Sequence, residues 1–184
     1  SSVFLVEAIR TNVEIIGLDT AYCFNSDASN LNVDVNFDPE IGSIGNFIPG
    51  PDSDPVFITT SGEHSARFKL KDAAADSEYL LKYHYTSANG CKADTAYHNL
   101  IVHALPDLSF TLKDNYNISD GNINLTGVPT DTSYSFRGPM ITDNVLRPDI
   151  TYNNIPIEVF YEGEDPVTGC ANSVSDNTVL YEAL

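Results

Sequence analysis

The chain has 184 residues, 26 acidic side chains against nine basic ones, and a net charge of −17. That sign repels nucleic acid and anionic lipid surfaces, and no run approaches the roughly 18 apolar residues of a membrane span. Seventeen Asp and seventeen Asn, one Met and no Trp, without Ala-Glu-Lys-Leu stretches, point to turns and strands rather than helices.

In chain order, the string Phe4-Leu5-Val6-Glu7-Ala8-Ile9 comes first, and it recurs as Leu100-Ile101-Val102-His103-Ala104-Leu105 and Val179-Leu180-Tyr181-Glu182-Ala183-Leu184. Residues 1–9 therefore read as the last strand of a preceding repeat, 10–105 as a first unit and 106–184 as a second. Each is of a size that suits a sandwich domain.

In the first unit, Val13, Ile15 and Tyr22-Cys23 precede a period-two run at Leu31, Val33, Val35 and Phe37. Turn clusters stand at Pro49-Gly50-Pro51-Asp52 and Ser61-Gly62-Glu63, followed by alternation at Ala66, Phe68 and Leu70. Lys71–Asp76 is the single helix-like stretch, about a turn and a half long at most. Tyr79, Leu81, Tyr83 and Tyr85 share one face of the next strand, which ends at the turn Ala88-Asn89-Gly90. Pro106 then leads into the second unit with no flexible linker.

The second unit repeats the pattern at Leu108/Phe110/Leu112, Tyr134/Phe136 and Ile155/Ile157/Val159/Tyr161, with a turn at Asp120-Gly121-Asn122. Strict alternation marks half-buried antiparallel strands that need a second sheet over the apolar face. The expected fold class is all-β: two tandem immunoglobulin-like antiparallel β-sandwiches, with about seven strands per unit.

Tyr22-Cys23 near the start of the first unit and Tyr83-His84-Tyr85-Thr86-Ser87-Ala88-Asn89-Gly90-Cys91 near its end resemble the Ig-like and PKD-like repeats of large Bacteroidota surface proteins. Such repeats occur in type IX-secreted adhesins, including the gliding-motility kind. The second unit departs from the pattern, since Asn117 follows Tyr116 where Cys would stand. The resemblance implies an extracellular, tandemly repeated stalk or adhesive region on the cell surface. In that setting disulfides persist, and Cys23 and Cys91 are expected to pair while Cys170 stays free, three buried thiols being the alternative. Two Asp-Thr-Ala triplets match the O-glycosylation pattern described for that phylum: Thr20, expected to be exposed, and Thr95, expected within a strand.

The chemistry of an enzyme is not spelled out. The four histidines lack metal-ligand spacing, and His98 and His103 fall on opposite strand faces. No nucleophile elbow, phosphate loop or dinucleotide fingerprint occurs, and the paired acids read as solvated loop residues. No cofactor is called for. Asp114, Asp120 and Asn122 offer oxygens from which a calcium site would be built, against the plainer reading of an Asx-rich turn. Asn117 and Asn124 fit the N-linked acceptor pattern, which is inert in a bacterial host.

The leading functional reading is a non-enzymatic spacer or adhesive repeat of a secreted surface filament, its partners neighbouring repeats of the same chain and surface polysaccharide. The second is a carbohydrate-binding or accessory module of a polysaccharide-degrading enzyme, with Tyr79, Tyr83, Tyr85, Tyr97 and Phe160 as candidate stacking platforms. The third takes residues 1–9 as a donor strand for a neighbouring subunit.

Overall fold

The period-two runs become strands with their apolar side inward. The computed structural model describes residues 12–24, 29–59 and 63–182, and the chain divides into two units between Ala104 and Leu105. The extra strand expected at 1–9 lies outside the described residues.

The first unit contains β1 (Ile15–Ile16), β2 (Ala21–Cys23), β3 (Leu31–Val35), β4 (Ile44–Pro49), β5 (Phe57–Thr59), β6 (Ala66–Phe68), β7 (Ser77–Thr86) and β8 (Ala96–His103). They form two four-stranded sheets, β1-β3-β6-β5 and β2-β8-β7-β4. Lettered in chain order, with β2 as a second segment of the first strand, these are A-B-E-D against C-F-G, the immunoglobulin arrangement. β2 joins the second sheet by running parallel to β8, with Tyr22 opposite Val102. Val33, Phe68, Leu81, Tyr83 and Val102 fill the space between the sheets.

Leu81 and Val33 are both fully buried on the strands that carry the inter-sheet disulfide of antibody domains, so apolar packing does that work here. Two residues before Leu81, the Tyr79 hydroxyl accepts a hydrogen bond from the Ala74 N–H at 2.6 Å. This is the tyrosine corner of such folds, tying the start of β7 to the turn before it. The same bond explains why Lys71–Asp76 does not form the expected helical stretch. A 3₁₀ turn covers only Leu70–Asp72, Ala73 is extended, and Asp76 takes a positive φ of 53°.

The second unit contains β9 (Ser109–Phe110), β10 (Asn115–Asn117), β11 (Ile123–Asn124), β12 (Gly127–Val128), β13 (Tyr134–Arg137), β14 (Ile141–Thr142), β15 (Val145–Leu146), β16 (Pro156–Glu164) and β17 (Ala171–Tyr181). Its main sheet, β10-β17-β16-β13, repeats the second sheet of the first unit, down to the parallel pairing of β10 with β17. The other layer is split into β11-β15-β14 and β12-β9. Leu146, Ile157, Val159, Tyr161 and Leu180 are core residues.

Strand register sets the true equivalence of the repeats. Tyr22 lies opposite Val102 and Tyr116 opposite Leu180; Tyr79 lies opposite Leu100 and Ile157 opposite Thr178. Val102 therefore corresponds to Leu180, and Leu100 to Thr178. The hexapeptide match had set Ile101 against Leu180, one residue out, which would put a half-buried side chain in a core position.

Thr178 thus stands in a core position of the second unit, 1 % exposed, and its hydroxyl has no hydrogen-bond partner. Thr178→Val keeps the shape and removes the unsatisfied hydroxyl, so urea unfolding should show a gain of about 1 kcal/mol. A loss would mean that the hydroxyl is satisfied. Tyr79→Phe should act in the opposite direction, costing the first unit about 1–2 kcal/mol by orphaning the Ala74 N–H. An unchanged midpoint would deny the tyrosine corner any role.

Candidate functional site

The second sheet of the first unit turns one face to the core and the other to solvent. Along β7 the outward residues are Glu78, Leu80, Lys82 and His84; along β8 they are Tyr97, Asn99 and Ile101. Register sets them in rungs: Lys82 opposite Tyr97, Leu80 opposite Asn99, Glu78 opposite Ile101. The chain after β4 folds over this face as a 3₁₀ turn, Pro51–Val56, with Pro51 in its first turn.

Two bonds to one residue anchor that turn. The Gly50 N–H donates to the Leu80 carbonyl at 2.9 Å, and the buried Ser53 Oγ accepts from the Leu80 N–H at 3.0 Å. Between the turn and the strands lies an open cleft of about 700 Å³. Leu80, Ile101 and Pro51 give it apolar surface, and Thr20, Asp52, Glu78 and Asn99 give it polar groups. Tyr97 does not line the cleft but stands on β8 one rung beyond its Leu80–Asn99 edge, 62 % exposed, with the Lys82 Nζ 5.9 Å from its ring centroid.

On the other side of the same sheet, Ser43, His64 and Tyr83 form a chain of hydrogen bonds. The Ser43 hydroxyl donates to the Glu40 carbonyl at 2.6 Å, so its oxygen is free to accept from His64 Nε2 at 3.2 Å. His64 Nδ1 then accepts from the Tyr83 hydroxyl at 2.5 Å. Burial pushes the Tyr83 phenol up to about 12, which keeps it a donor across the physiological range. With the serine proton committed to a carbonyl, His64 is not placed to activate Ser43 as a nucleophile.

In the second unit the outward face of β13 and β16 is closed by an ion pair. Arg137 donates to both Glu162 oxygens, at 2.8 and 3.0 Å, and its guanidinium lies 4.5 Å from the Phe160 ring centroid. The hydrogen bonds from Arg137 hold the Glu162 carboxyl below its ordinary range. The pair's contribution is therefore present above the ordinary carboxylate pKa and fades as pH falls through the lowered one.

Of the expected stacking platforms, Tyr79, Tyr83 and Tyr85 belong to the core and Phe160 lies under Arg137, which leaves Tyr97 open. Of the candidate calcium residues, Asp120 makes a capping box with Asn117 around a 3₁₀ turn, Ile118–Asp120. The Asp120 carboxylate accepts from the Asn117 N–H at 3.0 Å, and the Asn117 side chain from Ser119 at 2.9 Å. Asp114 uses its backbone carbonyl to accept from the Val179 N–H, and Asn122 is exposed beyond the turn. Among the described residues no three His, Cys, Asp or Glu side chains gather as a metal site.

Thr20 is exposed and borders the cleft. Thr95 is not in a strand, because the Ala93 N–H bonds back to the Tyr85 carbonyl and delays the start of β8 to Ala96.

The expected Cys23–Cys91 bridge does not form: Cys91 is a free thiol, while Cys23 and Cys170 are disulfide-bonded. Register gives the reason. Cys23 faces His103, beside the rung where β7 begins at Ser77, whereas Cys91 follows the far end of β7 beyond Thr86. A strand of that length spans roughly 30 Å, and a disulfide needs Cα atoms within about 7 Å. The sequence puts Cys23 near the start of the unit and Cys91 near its end, but does not show which end of a strand each one occupies in space.

No family model matches the sequence, and no curated protein matches it. Among solved structures, similarity extends to a SusE-like, surface-located polysaccharide-binding protein from the heparin utilisation locus of Bacteroides thetaiotaomicron, at 14 % identity and TM-score 0.35, covering 94 % of this chain and 34 % of that one. The fibronectin type III-like modules of CbhA from Clostridium thermocellum match at 16 % identity and TM-score 0.41, covering 94 % and 95 %. The first two domains of chicken VE-cadherin match at 11 % identity and TM-score 0.35, covering 91 % and 99 %. The chain spans about a third of the length of the Bacteroides protein.

Alkylating the denatured, unreduced chain should place a single label, and peptide mapping should locate it at Cys91. A label on Cys23 or Cys170 would contradict the assignment.

Proposed function

We propose that the chain is a non-catalytic spacer and adhesive segment of a large secreted protein on the cell surface, held among further repeats of the same kind. The oxidised state of Cys23 and Cys170 carries this reading, because cytosolic thiol pools keep such cysteines reduced. The high negative charge supports it, favouring solubility in an exposed setting. So does the structural use of several acids and of Ser43: Glu162 is held by Arg137, Asp120 by its cap, Asp165 by the turn to Thr168, and Ser43 by Glu40. The Tyr-x-Tyr-Thr…Asn-Gly-Cys pattern favours a gliding-adhesin type of host.

An accessory carbohydrate-binding role in a polysaccharide-degrading enzyme is the second reading, favoured by the exposed Tyr97. Antibodies raised against the chain should label intact, unpermeabilised cells of the producing organism. Labelling that appears only after lysis would sink the surface assignment.

A further inference from the structure

We infer that the cleft between the Pro51–Val56 turn and the outward face of β7 and β8 is a binding site for a neutral oligosaccharide, with Tyr97 as its stacking platform. The inference rests on the adhesive reading above and gives it a ligand. Tyr97 is 62 % exposed, unlike the other tyrosines of its sheet, which are packed in the core or half-buried. An exposed aromatic ring offers a flat apolar face, and the C–H face of a pyranose is its natural complement.

The next rung along the strands is Asn99 opposite Leu80, on the same face because it lies two residues on. That step is roughly 7 Å, somewhat more than the length of one pyranose residue. A glycan stacked on Tyr97 and running along β8 would lay its next sugar over Leu80, within reach of the Asn99 amide. The following rung brings Glu78, and Asp52 reaches in from the 3₁₀ turn.

Carboxylates and amides accept and donate in planar pairs that match adjacent sugar hydroxyls. Asp52, Glu78 and Asn99 have no side-chain hydrogen bond or ion pair among the described residues, so none must be broken to bind. The two carboxylates also set the class of ligand: sulfated or uronic acid chains would meet like charge, and neutral chains would not. Lys82, 5.9 Å from the Tyr97 ring and without a salt-bridge partner among the described residues, is held loosely enough to move aside.

Calorimetric titration of the whole chain with cellohexaose, xylohexaose, mannohexaose and maltohexaose tests this, with chondroitin sulfate and hexalysine as charged comparisons. At least one neutral hexaose should bind. Tyr97→Ala should weaken that binding tenfold or more and Asn99→Ala several-fold, while Phe160→Ala leaves it unchanged, circular dichroism confirming that each variant is folded. The proposal fails if no neutral hexaose binds at millimolar concentration, if Tyr97→Ala and Asn99→Ala both bind as well as the parent chain, or if chondroitin sulfate or hexalysine binds in preference. Such a failure would leave surface labelling of intact cells unaffected, so the two readings fall separately.

Discussion

Each unit is built around one Phe–Tyr contact across a strand pair. In the first, Phe47 of β4 lies directly opposite Tyr83 of β7, with ring centroids 4.5 Å apart; in the second, Phe136 of β13 lies opposite Tyr161 of β16 at 4.6 Å. The chain has no Trp, and its buried centres rely on these pairs where antibody domains use Trp against a disulfide. Both tyrosines are buried, so each hydroxyl needs a partner, and that need shapes the surrounding loops. Tyr83 reaches His64, whose ring occupies space where a Cβ on Gly45 would collide. Tyr161 donates to the Pro129 carbonyl, and its ring lies where a Cβ on Gly127 would come within 2.5 Å. The two glycines are thus required by the tyrosines, through close approach rather than through an unusual φ.

Once those pairs fix the inward face, period two dictates the outward one. The residues between Tyr79, Leu81, Tyr83 and Tyr85 must face solvent, and so must Tyr97, Asn99 and Ile101 of β8. The cleft is therefore a by-product of core register with one addition, the 3₁₀ turn pinned to both backbone groups of Leu80. That turn begins at Gly50-Pro51, where Pro cannot donate to the ladder and the strand must end. Core packing and surface chemistry are linked through Leu80, whose N–H and C=O hold the wall while its side chain lies in the cleft.

The alternation that signals strands is plain at Leu31–Val35, Leu81–Tyr85 and Tyr134–Phe136, where polar residues separate the apolar ones. It failed where apolar residues run together. Leu100-Ile101-Val102 offers two equally apolar registers, and composition alone chose the one that put Ile101 against Leu180. Only the pairing of Tyr22 and Tyr116 with the last strands separates the two. The open Tyr97 and the buried Tyr79, Tyr83 and Tyr85 were likewise indistinguishable as residue types. Their difference lies in the parity of β8 relative to β7, a property of the pairing. Cysteine partnership failed for a related reason: positions along a chain say nothing of which end of a strand they occupy in space.

The two units use one framework to present opposite surfaces. At matching places in the main sheet the cross-strand rung is Ile48–Lys82–Tyr97 in the first unit and Arg137–Phe160–Ser175 in the second. Both contain a cation beside an aromatic ring, yet the outcomes differ. Arg137 is fixed at 4.5 Å over Phe160 by two bonds to Glu162, and a planar guanidinium so held covers one face of the half-buried ring. Lys82 sits at 5.9 Å, near the limit of cation–π attraction, on a flexible stem with no carboxylate among the described residues to hold it. Moving the aromatic residue from the central strand β16 to its counterpart's neighbour, β8, also takes it next to the cleft. The second unit is thereby suited to a passive place in the chain, and the first to contact with a ligand.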